Sequence, residues 1–267
     1  MENERKFLKE KIANGIKKTK YFDNLAKSLK SAFEMHKGQG RLWEGDKRDW
    51  GNVSEHCLVV TARVETLSDL LKLTEDTKKN IMYAAALHDF SKRREKELKT
   101  PEGGITWEQY REDVSGWSQS EITKAGFSKS VAELTESVGH DSLVQAEALL
   151  NKNIKNLSDA DLAFLVMHYV DNYTQGAGWV IPTDGTINEI DARVEKDKNN
   201  PTLQKLREES KYVFNGRTYI EVMKDTGHKI EQVFVKLIQE RSGIEIEPLR
   251  LPEYIDGQLK DRIDKQS

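Results

Sequence analysis

The chain has 267 residues and a mass of 30.6 kDa, the size of one large domain or of one domain with an appendage. Hydrophobic residues make up 37% and are spread along the whole length, while the formal net charge is only −3, which supports a sizeable core and excludes wholesale disorder. The single Cys57 excludes an intramolecular disulfide and any site that needs several thiolates.

No run approaches the roughly 18 apolar residues of a membrane span, and the first residues hold no apolar stretch for secretion. The expectation is a cytoplasmic protein without a membrane partner. A pI near 6.1 gives no global basic footprint, so nucleic acid is not an expected partner. With 17 Gly and 5 Pro, the chain has few turn formers and favours long helices.

Helical periodicity runs almost throughout. Residues 4–16 and 21–36 read as two amphipathic helices. A turn-rich stretch at 37–52 leads into a long helix over about 53–71, where Val53, Cys57, Val60, Val64, Leu67 and Leu71 recur at three and four. Thr74 is an N-cap, followed by Glu75 and Asp76 in the first turn and by the stripe Ile81, Ala84, Ala85, His88.

Residues 90–140 are less regular: a charged stretch, a Pro-Glu-Gly-Gly turn, then short helices at 106–113, 116–124 and 128–138. Helices follow at 142–153 and 158–173, the second opened by Ser158 and Asp161 in a box-like arrangement. Residues 176–185 read as a loop, and helices at 186–197, 202–212 and 217–241 come after it. Residues 244–251 are the single strand candidate, and their Pro assigns them to an edge or a tail. The predicted fold class is all-α, with N-terminal helices over 1–49, a core over 50–185 carrying an insertion at about 90–140, and a helical extension over 186–267.

Three positions put polar groups where an apolar stripe should continue. His56 lies between Val53 and Val60, His88 ends its stripe and is followed by Asp89, and Asp171 shares a stripe with Phe164, Met167 and His168. Burying an unpaired carboxylate costs several kcal/mol, so each Asp needs a cation, a partner or hydrogen bonds. Two carboxylates and two imidazoles from separate helices can satisfy one another around a metal ion. Such a donor set suits Mn, Fe, Co, Ni or Zn, as one ion or two. An ion of this kind brings the pKa of a bound water down to about 7, which suits attack on phosphate esters. Singly, His56 also reads as a core histidine and Asp171 as a cap or an arginine partner.

The order His, His-Asp, Asp resembles the HD-domain metal-dependent phosphohydrolases. NVSEHCLVV around His56, AAALHDFSK around His88 and Asp89, and HYVDNY around Asp171 carry the likeness, over roughly residues 50–175. The resemblance implies a helical bundle with additional N- and C-terminal helices, with His56, His88, Asp89 and Asp171 binding a divalent metal. It implies a metal-activated water, with Asp89 orienting ligand and water. The expected substrate is small and phosphorylated, such as a nucleotide.

Lys92 lies four residues after His88 and three after Asp89, on the same side of a continued helix. There it can hold a phosphate oxygen together with Arg93, or be one more solvated lysine in a basic run. His-Asp-x-x-Lys looks like a subgroup motif. The Glu-Asp pair that the guanosine-tetraphosphate hydrolases carry after His-Asp is replaced here by Lys92 and Arg93, and the Gly-Tyr-Pro of the cyclic-dinucleotide branch is missing.

Family members with two metals place further histidines between His-Asp and the last Asp. That implies His140 as an extra ligand, against an exposed loop histidine as the alternative. His168 fits a supporting role beside Asp171. Trp179 reads as the plug of a core edge, and His36, His228 and Cys57 have no constellation around them. Two rival functions stay open: an HD-fold di-iron oxygenase, and a non-catalytic nucleotide-sensing module. Association with a second copy of the chain also stays open.

Overall fold

Helix α3 (Val53–Leu70) is apolar on nearly every side and forms the axis of the molecule. A computed structural model describes residues 19–38, 53–92, 94, 112–138, 140–175, 179–180 and 214–266. Along α3, Val60, Val64 and Leu67 face one apolar cluster, while Cys57, Leu58, Val59 and Ala62 face a second. A helix buried all round must hide its hydroxyls within itself. Thr61 and Thr66 accordingly donate to the carbonyls of Cys57 and Ala62 one turn back, at 2.7 and 2.8 Å.

The chain is all-α among the described residues apart from one two-residue strand pair. Before α3 come α1 (Lys20–Ser28) and α2 (Lys30–Gly38). After it come α4 (Glu75–Leu87), α5 (Trp117–Lys124), α6 (Lys129–Leu134), α7 (His140–Leu150) and α8 (Asp159–Asn172). Last are α9 (Tyr219–Ser242) and α10 (Leu251–Lys265). Thr74 caps α4 as expected. Both Ser158 and Thr218 complete capping boxes, with Asp161 and Glu221 reaching back to the cap amides. Helices α4, α8, α10 and α1 all pack on α3. Burying that central helix between layers is what places residues 56, 88 and 171 at one end of the bundle.

Three expectations change. The helix expected over 21–36 is broken at Leu29, whose amide bonds to both Leu25 and Ala26 carbonyls. The break keeps both halves buried, Tyr21, Phe22 and Leu25 before it and Ala32, Phe33 and His36 after it. Residues 174–180, expected to lead into a loop, hold an antiparallel pair, β1 (Thr174–Gln175) with β2 (Trp179–Val180).

The strand candidate at 244–251 is unpaired and instead forms a 3-10 turn at Pro248–Arg250. The helical extension expected over 186–267 ends in α10. Pro252 sits in its first turn, where the missing N–H is no loss, and Leu251, Ile255, Leu259 and Ile263 recur every four residues and are all buried. The helices expected at 4–16, 186–197 and 202–212, and most of the one at 106–113, lie outside the described residues. No described helix is long and apolar enough to cross a membrane.

Candidate metal centre

His56 stands in the first turn of α3, His88 is the C-cap of α4, and Asp171 is in the last turn of α8. The packing of α4 and α8 on α3 brings the three together. Asp171 Oδ1 lies 3.2 Å from His56 Nε2 and 2.9 Å from His88 Nε2. The two imidazoles meet edge to face, with centroids 5.3 Å apart. Among the described residues these three form a group in which each offers a donor atom within 4.8 Å of the others.

The tautomer of His88 follows from its surroundings. Its Nδ1 is 2.8 Å from the Ala85 carbonyl, which only an Nδ1–H can satisfy. In the neutral ring Nε2 then carries a lone pair. That atom is buried and makes no hydrogen bond of acceptable angle, although a carboxylate oxygen stands 2.9 Å away. Two acceptors held so close need positive charge between them, either a proton on Nε2 or a cation. The spacing fits a cation: metal–ligand bonds of roughly 2.1 Å put neighbouring donors about 3.0 Å apart at right angles and about 3.4 Å at the tetrahedral angle. His56 Nδ1 is a second buried nitrogen with no hydrogen-bond partner among the described residues. Nitrogen and carboxylate oxygen together form a borderline donor set. The residues present fit a divalent metal.

The charges follow the same logic. Burial alone favours a neutral Asp171, but the charge of His88 and the hydrogen bond and charge of His56 hold its carboxyl well below the usual range. Burial likewise disfavours a charged His88, and the sulfur of Cys57 with the carboxylates of Asp171 and Asp89 outweighs it and raises the ring. Asp89 is also depressed: burial opposes this, and Lys92 followed by His88 and His56 prevails.

The remaining predicted residues are distributed around this group. Asp89 is not one of the three. Its Oδ2 lies 3.9 Å from His88 Nε2 and its Oδ1 3.3 Å from Lys92 Nζ, so it links the lysine to the edge of the group. Lys92 is half exposed and lies on the side expected of it. The backbone of His140 opens α7, but its side chain, like Arg93 and the side chain of Trp179, lies outside the described residues.

His168 does not join the ligand group. It is buried, its Nδ1 accepts the Ser142 hydroxyl at 2.8 Å, its ring bonds the backbone of Ser137, and it stacks on Phe164. It braces α8 against the start of α7.

Burial lowers the His168 pKa to about 4, so the folded protein refuses a proton that the unfolded chain accepts. Below about pH 6.5 the unfolded state therefore gains stability relative to the native one, down to about pH 4 where both bind the proton. The loss attributable to this ring is about 3 kcal/mol, and it is present only on the acid side. Urea unfolding at pH 7 and pH 4.5 is expected to show a steeper acid loss in the wild type than in His168→Gln. Equal losses in the two proteins would remove the assignment.

Two residues with no constellation in the sequence belong to the surroundings of this centre. His36 is completely buried and touches the segments that carry both clustered histidines, and Cys57 is a buried free thiol beside His36 and His88. The available sequence signal for His36 is its place on the apolar face of α2, three residues after Phe33. His228, by contrast, is remote and pairs with the buried Glu231.

Comparison with protein-family models, with curated proteins and with solved structures finds no match for this chain.

Proposed function

We propose that this chain is an HD-type metal-dependent phosphohydrolase acting on a nucleotide or another small phosphate ester. The observation that carries the reading is the convergence of His56, His88 and Asp171, with His56 Nε2 3.2 Å and His88 Nε2 2.9 Å from one Asp171 oxygen. His56, His88 and Asp171 hold one divalent ion of Mn, Fe, Co, Ni or Zn, and the family resemblance adds His140 as a further ligand. A divalent ion held there supplies Lewis acidity, polarising a phosphate oxygen and lowering the pKa of water to about 7.

The chain's own side chains do the rest. Asp89 turns one oxygen towards His88 and the other to Lys92, so it can accept a hydrogen bond from the attacking water and aim it. Lys92 is exposed enough to exchange its contact with Asp89 for a phosphate oxygen, and Arg93 adds a second positive charge next to it. The charge developing on the phosphate is neutralised by those cations.

Metal analysis of the purified protein, coupled to a phosphate-release screen over mono-, di-, tri- and dinucleotides, tests the reading. At least one transition-metal ion per chain is expected. Phosphate release should vanish on chelation, return with added metal, and fall at least about a hundredfold in Asp89→Ala, within the range for loss of a group that positions water or transfers a proton. Dioxygen uptake with ferrous iron and no phosphate release would install the oxygenase reading instead. Nucleotide binding without turnover under several divalent metals would install the sensing module.

A further inference from the structure

We propose that His36 is a positioning residue that clamps the two histidine-bearing helix ends and so sets the spacing of the metal ligands. The inference rests on the metal-centre reading above. Helix α4 ends at Leu87, and its last carbonyls need partners outside the helix. The Phe90 amide, which would have continued the helix to the Ala86 carbonyl, bonds Leu87 instead at 2.9 Å. His36 takes that place, with its Nε2 2.7 Å from the Ala86 oxygen in a fully buried setting.

A carbonyl can only accept, so Nε2 carries the hydrogen and Nδ1 is left as an acceptor. That nitrogen faces the buried Ser54 hydroxyl at 3.5 Å, the long end of a hydrogen bond. Ala86 precedes His88 by two residues and Ser54 precedes His56 by two. One imidazole therefore spans the last turn of α4 and the first turn of α3, behind the two ligands and without contacting the ion. Phe33, 5.6 Å away ring to ring, keeps it in place.

Two histidines then divide the carbonyls at the end of α4. His88 Nδ1–H donates to Ala85 and His36 Nε2–H donates to Ala86. The first bond turns the His88 lone pair into the site, and the second holds the turn that carries it. An aliphatic residue at 36 would fill the space but leave the Ala86 carbonyl buried without a donor.

The full chain is titrated with Zn²⁺ and with Mn²⁺ against a chromophoric chelator, comparing wild type, His36→Leu, His36→Gln and Ile230→Ala. Ile230 is buried in the other apolar cluster and reports what destabilisation alone does. His36→Leu is expected to bind metal 10–100-fold more weakly, the range for loss of an outer-shell partner. His36→Gln, which keeps a donor, should stay within about threefold of wild type, as should Ile230→Ala.

Equal affinity in wild type and His36→Leu overturns the clamp and leaves the metal centre standing. No metal bound by the wild type overturns the centre and the clamp together. Long-range ¹H–¹⁵N spectra of the wild type need no variant: they should show His36 as the Nε2–H tautomer and His88 as Nδ1–H in the metal-free protein at high pH. A His36 ring protonated on Nδ1 alone rejects the proposal.

Discussion

Asp171→Ala is expected to weaken metal binding at least about a hundredfold, more than the 10–100-fold that follows loss of an outer-shell partner. Asp171 Oδ1 lies close to both imidazoles, 3.2 Å from His56 and 2.9 Å from His88. Without it the donor group has two neutral nitrogens and no charge to offset that of the ion. Asp171→Asn separates charge from shape: it keeps an oxygen in place, and it should fall between wild type and Asp171→Ala. Calorimetric titration with Zn²⁺ and Mn²⁺, alongside melting curves of the metal-free proteins, provides the measurement. Metal affinity unchanged in Asp171→Ala would show that the three helix ends do not form a binding site. The phosphate-release activity proposed here should disappear with the metal, in the same variant and to the same degree.

The clustered residues were legible because each breaks a local pattern. An imidazole or a carboxylate on an apolar stripe has to be explained, and His56, His88 and Asp171 are the breaks that the helix packing brings together. Asp89 drew the same inference from its position beside His88, and it stands at the edge of the group, with Oδ2 3.9 Å from His88 Nε2 and Oδ1 3.3 Å from Lys92 Nζ. Sequence spacing gives the side of a helix, and the turn after Leu87 decides where a carboxylate on that side points. His36 was illegible for the opposite reason. It sits on an apolar face like an ordinary core histidine, and its partners, the Ala86 carbonyl and the Ser54 hydroxyl, are set by the break at Leu29. That break depends on tertiary packing and leaves no mark on the helical period.

The end of the chain shows a simpler limit. The Pro within residues 244–251 argued for an edge or a tail. Pro248 instead starts a 3-10 turn, and Pro252 falls in the first turn of a helix, the place in a helix where proline is at home. The fourfold spacing of Leu251, Ile255, Leu259 and Ile263 was the stronger signal.

Arg63→Leu is expected to destabilise the protein by about 3–5 kcal/mol, the range for stranding one partner of a buried ion pair. Arg63 lies on the most buried stretch of α3, and Asp256 meets it from α10. Nε is 2.8 Å from Oδ1 and Nη2 is 3.2 Å from Oδ2, with 0% and 2% of the two side chains exposed. The two-pronged geometry offsets much of the desolvation that both charges suffer. Removing the guanidinium leaves a carboxylate at the heart of the bundle without its two-pronged partner. Asp256→Leu strands the guanidinium in the same way and should cost a similar amount.

The double variant Arg63→Met/Asp256→Leu strands nothing, and it should recover most of the loss or exceed the wild type. Urea unfolding of the four proteins closes the cycle, and the two single losses should sum to several kcal/mol more than the double. Additive losses would mean that the pair is not coupled through burial. The same four proteins separate stability from the metal centre. Arg63 is seven residues beyond His56 and touches none of the ligands, so the well-folded double variant should bind Zn²⁺ within about threefold of wild type, because distant sites without shared partners behave independently. A loss of metal affinity there would tie the docking of α10 to the ligand geometry, and the extension would become part of the site.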